Sequence, residues 1–133
     1  MAGDHTAACN VNKEVLLVEL GLRQFSNTTI FKKNGYFVLS PSVQSPKSLW
    51  FDLRKVNIDR YESTKEKGFL LVRFFDQFLL ANLDEFFSNM IDWEKFSNTK
   101  NSGVHWKFTI RPKDQGFIIH GLINKKDFPI NLT

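Results

Sequence analysis

Apolar residues in this chain come in short runs that alternate along the backbone, and that period restricts the fold more than any other feature. In Leu49-Trp50-Phe51-Asp52-Leu53-Arg54, the residues Leu49, Phe51 and Leu53 fall on one face and Trp50, Asp52 and Arg54 on the other. Leu16, Val18, Leu20 and Leu22 alternate in the same way. Further runs are Tyr36 to Leu39, Phe69 to Phe74, Gln77 to Leu80, Val104 to Ile110 and Phe117 to Leu122. Runs this short suit strands and are too brief for helices. Turn signals separate them: Asn34-Gly35, the Pro41 to Pro46 segment, a turn near Asp76, and Pro112 to Gly116. One stretch has helical spacing. Asn82 reads as an N-cap, Asp84 and Glu85 fall in the first turn, and Leu83, Phe86, Phe87 and Met90 share a face. Trp93 and Phe96 extend this helix or begin another.

The expected fold is therefore α+β and mostly β: an open antiparallel pseudobarrel of six or seven strands with one or two short helices. A chain of 133 residues suits one domain. A flexible lead at 1–12 and a tail at 124–133 with little periodicity are expected. Fourteen of the 19 aromatic residues are Phe, which predicts a Phe-rich core. Phe51, Leu53, Phe69, Leu71, Phe86 and Phe108 are its expected members. The polar lead lacks an apolar signal region, and no apolar run is long enough to span a membrane, so a cytoplasmic protein is expected.

Catalytic chemistry has little to stand on. The single cysteine, Cys9, excludes an internal disulfide and has no Cys/His constellation around it. His5 lies in the lead. His105 and His120 sit on candidate strands with no carboxylate or cysteine at metal-ligand spacing, although pairing of those strands would bring them near each other. A nuclease would need two or three clustered carboxylates for Mg²⁺, drawn from Glu14, Glu19, Asp52, Asp59, Glu62 and Glu66. Glu19 and Asp52 are the pair that strand pairing would bring together. Phosphate-loop, Gly-x-Ser-x-Gly and His-Glu-x-x-His patterns are missing from the sequence. No cofactor and no metal are expected.

Charge is more informative. Nine basic and four acidic side chains lie between Arg23 and Lys67. Five acidic and no basic ones lie between Phe74 and Glu94. From Lys95 to Lys126 seven basic residues stand against Asp114 alone. Such segregation can present a basic face to a polyanion. Two polar stretches carry the relevant groups. Arg23, Gln24, Asn27, Arg54, Asn57 and Arg60 have forked or amide ends suited to base edges. Thr28, Lys32, Lys33, Lys55, Tyr61, Lys65 and Lys67 suit phosphate oxygens. Tyr36, Trp50 and Tyr61 are the candidates for stacking on single-stranded DNA.

The order of these features resembles a known family. A tryptophan-bearing strand (Leu49 to Arg54), a polar arm, a strand at Gly68 to Val72, then Phe78 and a capped helix are similar to the second half of B3-like pseudobarrel domains. The bacterial branch is the nearer: the DNA-recognition domains of restriction enzymes, such as the N-terminal domain of LlaJI-type, McrB-related restriction proteins. The likeness covers about half the chain and rests on order and pattern. It implies two arms clamping the major groove, Arg23 to Asn34 and Arg54 to Lys67. The implied function is sequence-specific recognition of double-stranded DNA, without catalysis, in company with further domains or subunits of a restriction system. Two other classes remain open on the residues: a small metal-dependent nuclease, and a protein-interaction domain using the acidic helix around Asp84 and Glu85.

Overall fold

Among residues 21–24, 29–43, 49–75, 77–114 and 116–132, which the computed structural model describes, the apolar runs form ten strands and two short helices. The chain makes β1 (Arg23–Gln24), β2 (Ile30–Lys33), β3 (Tyr36–Leu39) and β4 (Trp50–Arg54), then helix α1 (Lys55–Ile58). Strands β5 (Lys67–Phe74) and β6 (Gln77–Asn82) follow and lead into α2 (Leu83–Met90). Last come β7 (Ser97–Thr99), β8 (Gly103–Lys113), β9 (Gly116–Gly121) and β10 (Asp127–Leu132). The expected mostly-β α+β class is correct. The expected first strand, Leu16 to Leu22, lies outside the described residues except for Gly21 and Leu22. No described helix is long and apolar enough to cross a membrane.

The strands line up in the order β1-β2-β3-β5-β6-β10-β9-β8-β4, with β7 also on β8. Every pair is antiparallel except β3 with β5. That exception arises because the chain leaves β3, pairs β4 with β8 at the far end of the path, and returns to lie beside β3. β10 joins the two halves: Asp127 to Ile130 pair with β9, and Asn131 and Leu132 pair with β6. The path ends at β1 and β4, so the sheet is open and no closed barrel forms among the described residues.

Where the sequence pattern held, the physical reasons are visible. Asn34 and Gly35 both take positive φ (39° and 87°), as a two-residue hairpin turn requires, and β2 folds back on β3. The Asn82 side chain accepts the Glu85 N–H at 2.9 Å and caps α2. Four strands exceed expectation. β1 and β2 lie within the first polar stretch, β7 in an expected loop, and β10 in the expected tail. β1 and β7 are polar, β2 buries only the adjacent Ile30 and Phe31, and β10 buries Phe128 and Ile130 on either side of Pro129, so each run is too short or interrupted to read as a strand by apolar pattern alone. Trp93 and Phe96 do not continue the helix. The Trp106 indole N–H donates to the Asp92 and Lys95 carbonyls (3.0 and 2.9 Å) and holds that segment as a turn.

The main core lies between the two halves of the sheet and is built on rings. Phe51 stacks on Phe108 (5.4 Å), Phe108 meets the edge of Phe86 (5.3 Å), and Phe86 meets Phe128 (5.2 Å). This ladder ties β4, β8, α2 and β10 together. Phe51, Leu53, Phe86 and Phe108 are buried in it as expected. β5 departs from expectation, because Phe69-Leu70-Leu71-Val72 is apolar on both faces and alternation cannot choose between them. Leu70 and Val72 face the main core; Phe69 is half-buried on the other face, where Leu71 joins a second cluster with Leu22, Phe31 and Val38. Arg73 is buried beside that cluster. Its guanidinium donates to the Ser40 carbonyl from Nε (3.2 Å) and Nη2 (3.0 Å) and lies 6.0 Å from the Phe31 ring.

The ring ladder predicts unequal costs for two superficially similar truncations. Phe51→Ala removes a fully buried ring and should cost about 3–5 kcal/mol. Phe69→Ala removes a half-buried ring outside the main core and should cost about 1–2 kcal/mol. Urea unfolding of the two variants reads the difference, and equal midpoints would mean that the faces of β5 are misassigned.

Candidate nucleic-acid interface

The two polar stretches meet at one end of the sheet, and backbone pairing brings them there. The β2–β3 turn presents Gly35, whose carbonyl accepts the Lys67 N–H at 2.8 Å. In the parallel register Tyr36 lies opposite Lys67, and in the hairpin register it lies opposite Lys33. Directly opposed residues share a face, so Lys33, Tyr36 and Lys67 form one cross-strand row with neighbours about 4.8 Å apart. Tyr36 is 44% exposed, and its ring lies 5.9 Å from Phe69. On the opposite face Arg23 lies across from Lys32, whose Nζ is 3.3 Å from Glu66 and 5.5 Å over the Phe37 ring. The acid belongs to the turn at Glu62 to Glu66, and it offsets two like charges side by side. Lys65 on the same turn is exposed.

The rest of the second stretch is folded rather than extended. Arg54 ends β4 opposite His105, exposed. Lys55 opens α1 and pairs with Asp59 at 2.7 Å, one helical turn on. Asn57 is half-buried in α1, Ile58 is buried, and Arg60 is exposed just beyond the helix. Tyr61 turns inward. Its ring lies 5.0 Å from Phe37 and 6.3 Å from Phe87, and it rests on Gly68. A Cβ at Gly68 would fall 2.5 Å from Tyr61 Cζ and 2.9 Å from Leu83 Cβ, which no side chain tolerates without displacing its neighbours. Burial pushes the Tyr61 hydroxyl up to about 12, helped by its hydrogen bond to Asp84 and by the charges of Asp84 and Glu66; the Gly68 N–H acts the other way. As a packed ring, Tyr61 is no platform for a base. Trp50 is half-buried with the Lys107 ammonium 4.5 Å over its ring. Tyr36 alone of the three stacking candidates is exposed.

Of the first stretch, Arg23 and Gln24 form β1, Lys32 and Lys33 form β2, and Asn27 and Thr28 lie outside the described residues. Thr29 accepts the Ser40 N–H at 2.8 Å, at the end of the hairpin opposite Gly35. The described part of this stretch is thus a sheet edge. The structure brings together Arg23, Lys32, Lys33, Lys65 and Lys67, and sets Arg54, Lys55, Asn57 and Arg60 beside α1.

The residues weighed for catalysis stay apart. His120 lies opposite Thr109, four residues along β8 from His105, so strand pairing does not join the histidines. His105 Nδ1 is 2.8 Å from the Gly103 carbonyl, and His120 Nδ1 is 2.7 Å from Asp127. Asp52 lies opposite Lys107, while Glu14, Glu19, His5 and Cys9 lie outside the described residues. Among the described residues no three His, Cys, Asp or Glu side chains gather as metal ligands would. Comparison of the chain with protein-family models, curated proteins and solved structures found no match.

Two outcomes follow from the Tyr61–Gly68 contact. Gly68→Ala should destabilise the fold by about 1–3 kcal/mol through overpacking. The penalty should shrink when Tyr61→Ala is combined with it, as a double-mutant cycle in urea will measure. The hydroxyl titration gives the second outcome. A phenol raised in the folded state contributes stability that is complete below pH 10 and lost as pH climbs toward 12. Absorbance at alkaline pH should show one late-ionising tyrosine, absent from Tyr61→Phe, and that variant should unfold less steeply between pH 10 and 12.

Proposed function

We infer that the protein is a double-stranded-DNA-binding module without catalysis of its own, the function that the likeness to restriction-enzyme recognition domains also implies. One observation carries the reading. Two basic stretches far apart in sequence are brought into register at one end of the sheet, where Lys33 and Lys67 flank the exposed Tyr36. Lys65 is exposed on the turn before Lys67, and Arg23 lies across from Lys32 on the other face of the same end. The lysines are flexible point charges matched to phosphate oxygens, and they supply affinity that no sequence modulates. Arg23 and Gln24 on β1 and Arg54, Asn57 and Arg60 beside α1 carry the forked and amide groups able to read base edges. The two stretches would serve as two arms on one groove, the first described only at Arg23–Gln24 and from Thr29 onward. In a larger restriction protein such a module would select the site at which another domain or subunit acts.

Titration of duplex DNA at two salt concentrations tests this. Lys33→Gln and Lys67→Gln should each weaken binding to specific and scrambled duplexes alike and reduce the salt slope by about 0.9. Loss of a true reader among Arg54, Asn57 and Arg60 should cost roughly 1–3 kcal/mol on a selected site and little on scrambled DNA. Undiminished affinity after joint replacement of Arg23, Lys33, Lys65 and Lys67 would remove the reading. Conversion of supercoiled plasmid in Mg²⁺ would replace it with the nuclease.

A further inference from the structure

The second basic segment of the sequence, Lys95 to Lys126, has no part in the interface just described. The register of β8 shows what three of its cations do. Trp106, Phe108 and Ile110 point into the core, so Lys107, Thr109, Arg111 and Lys113 share the outer face. Arg54, opposite His105, lies on that same face. The result is a set of cations on that face, Arg54 on β4 and Lys107, Arg111 and Lys113 along β8, with one acid among them, Asp52 of β4 opposite Lys107. Alternate residues on a strand stand about 6.7 Å apart, so Lys107 and Lys113 are separated by roughly 20 Å.

The far end of this set leaves the body of the protein. β4 follows β8 only as far as the pairing of Trp50 with Thr109 and the hydrogen bond from the Ile110 N–H to the Leu49 carbonyl. Beyond it, Arg111, Pro112, Lys113 and Asp114 are all exposed, including Pro112 on what would be the core face. Asp114 takes positive φ (53°) at the turn, and the pairing of Lys113 with Gly116 makes the tip a two-stranded ribbon. Charge and proline on a free edge discourage strand addition, which accounts for Arg111 to Lys113. It does not account for Lys107, which lies between β4 and β9 with its ammonium over Trp50. Lys32 and Lys55 form ion pairs, whereas among the described residues Arg111, Lys113 and Lys107 form none, although Asp52 lies opposite Lys107 in the register.

We propose that this outer face of β8, ending in the β8–β9 ribbon, is a second contact surface for the phosphate backbone of duplex DNA. It rests on the DNA-binding reading and extends it. This surface is separated from the Lys33–Tyr36–Lys67 row by β6, β10 and β9 in the strand order, and each of the two faces away from the main core. A two-stranded ribbon is also narrow enough to enter a major groove.

The test uses the full chain. In a triple variant, Lys107→Gln/Arg111→Gln/Lys113→Gln, the slope of log affinity against log salt should fall by about 2.7, and affinity for duplex DNA should drop tenfold or more at low salt. An unchanged thermal melt confirms the fold of the variant. Asp114→Cys in a Cys9→Ser background, carrying a photo-crosslinker, should label duplex DNA at the edge of the protected segment. Wild-type slope and affinity in the triple variant, or no labelling from position 114, would overturn the proposal. If Lys33→Gln/Lys67→Gln still abolishes binding in that case, the first interface stands and this one alone falls. If the wild-type chain binds no duplex, both fall together.

Discussion

The arrangement of the basic end depends on an aromatic ring lying across bare backbone. Tyr61 occupies the space that a side chain at Gly68 would fill, and Phe37 and Phe87 close around it. That contact decides which face of β5 turns inward. It also draws the connection from β4 down onto the sheet, so that Glu66 reaches Lys32 and Lys67 reaches Gly35. Ile58 in the core, Lys67 on the Gly35 carbonyl and Glu66 on Lys32 hold the same segment from other points.

Much of the fold was legible because short-range physics dictated it. Asn34-Gly35 can adopt the hairpin turn that few other pairs can, and Asn82 with Glu85 forms a cap within three residues. The faces of β4 and β8 were readable since each alternates cleanly. β5 was not, as four consecutive apolar residues fit either orientation and only the distant Tyr61 distinguishes them. The strands at Ser97 to Thr99 and Asp127 to Leu132 were hidden for a different reason. Ser97 to Thr99 is polar and held by pairing with β8, while Phe128 and Ile130 are split by Pro129 and pair with β9, and β10 reaches β6 as well, partners the local sequence does not announce. At the candidate site the lysines were legible from composition. Their division into one row around Tyr36 and one line along β8 was not, because it depends on strand register.

Charge segregation in the sequence becomes something less simple in three dimensions. One acid of the Phe74–Glu94 segment, Asp84 in the first turn of α2, lies at the basic end, where it acts on the Tyr61 hydroxyl. There a carboxylate helps to position a ring among lysines. Local pairs of this kind trim the field at short range, while the outer face of β8 keeps its cations unpaired among the described residues.

β10 touches both halves of the sheet, and it is the last of the ten strands in chain order. A ribosome delivers a chain from its beginning, so β6 and β9 emerge with their edges vacant and wait for the strand that fits between them. Until then each half is a separate sheet with an open hydrogen-bonding rim, the state in which a β protein is most prone to pair with the wrong neighbour. Phe128 and Ile130 then enter the core in the same step that joins the rims. The tail thus acts as the clasp of the molecule, and the interval before it closes is when a newly made copy is most in need of protection.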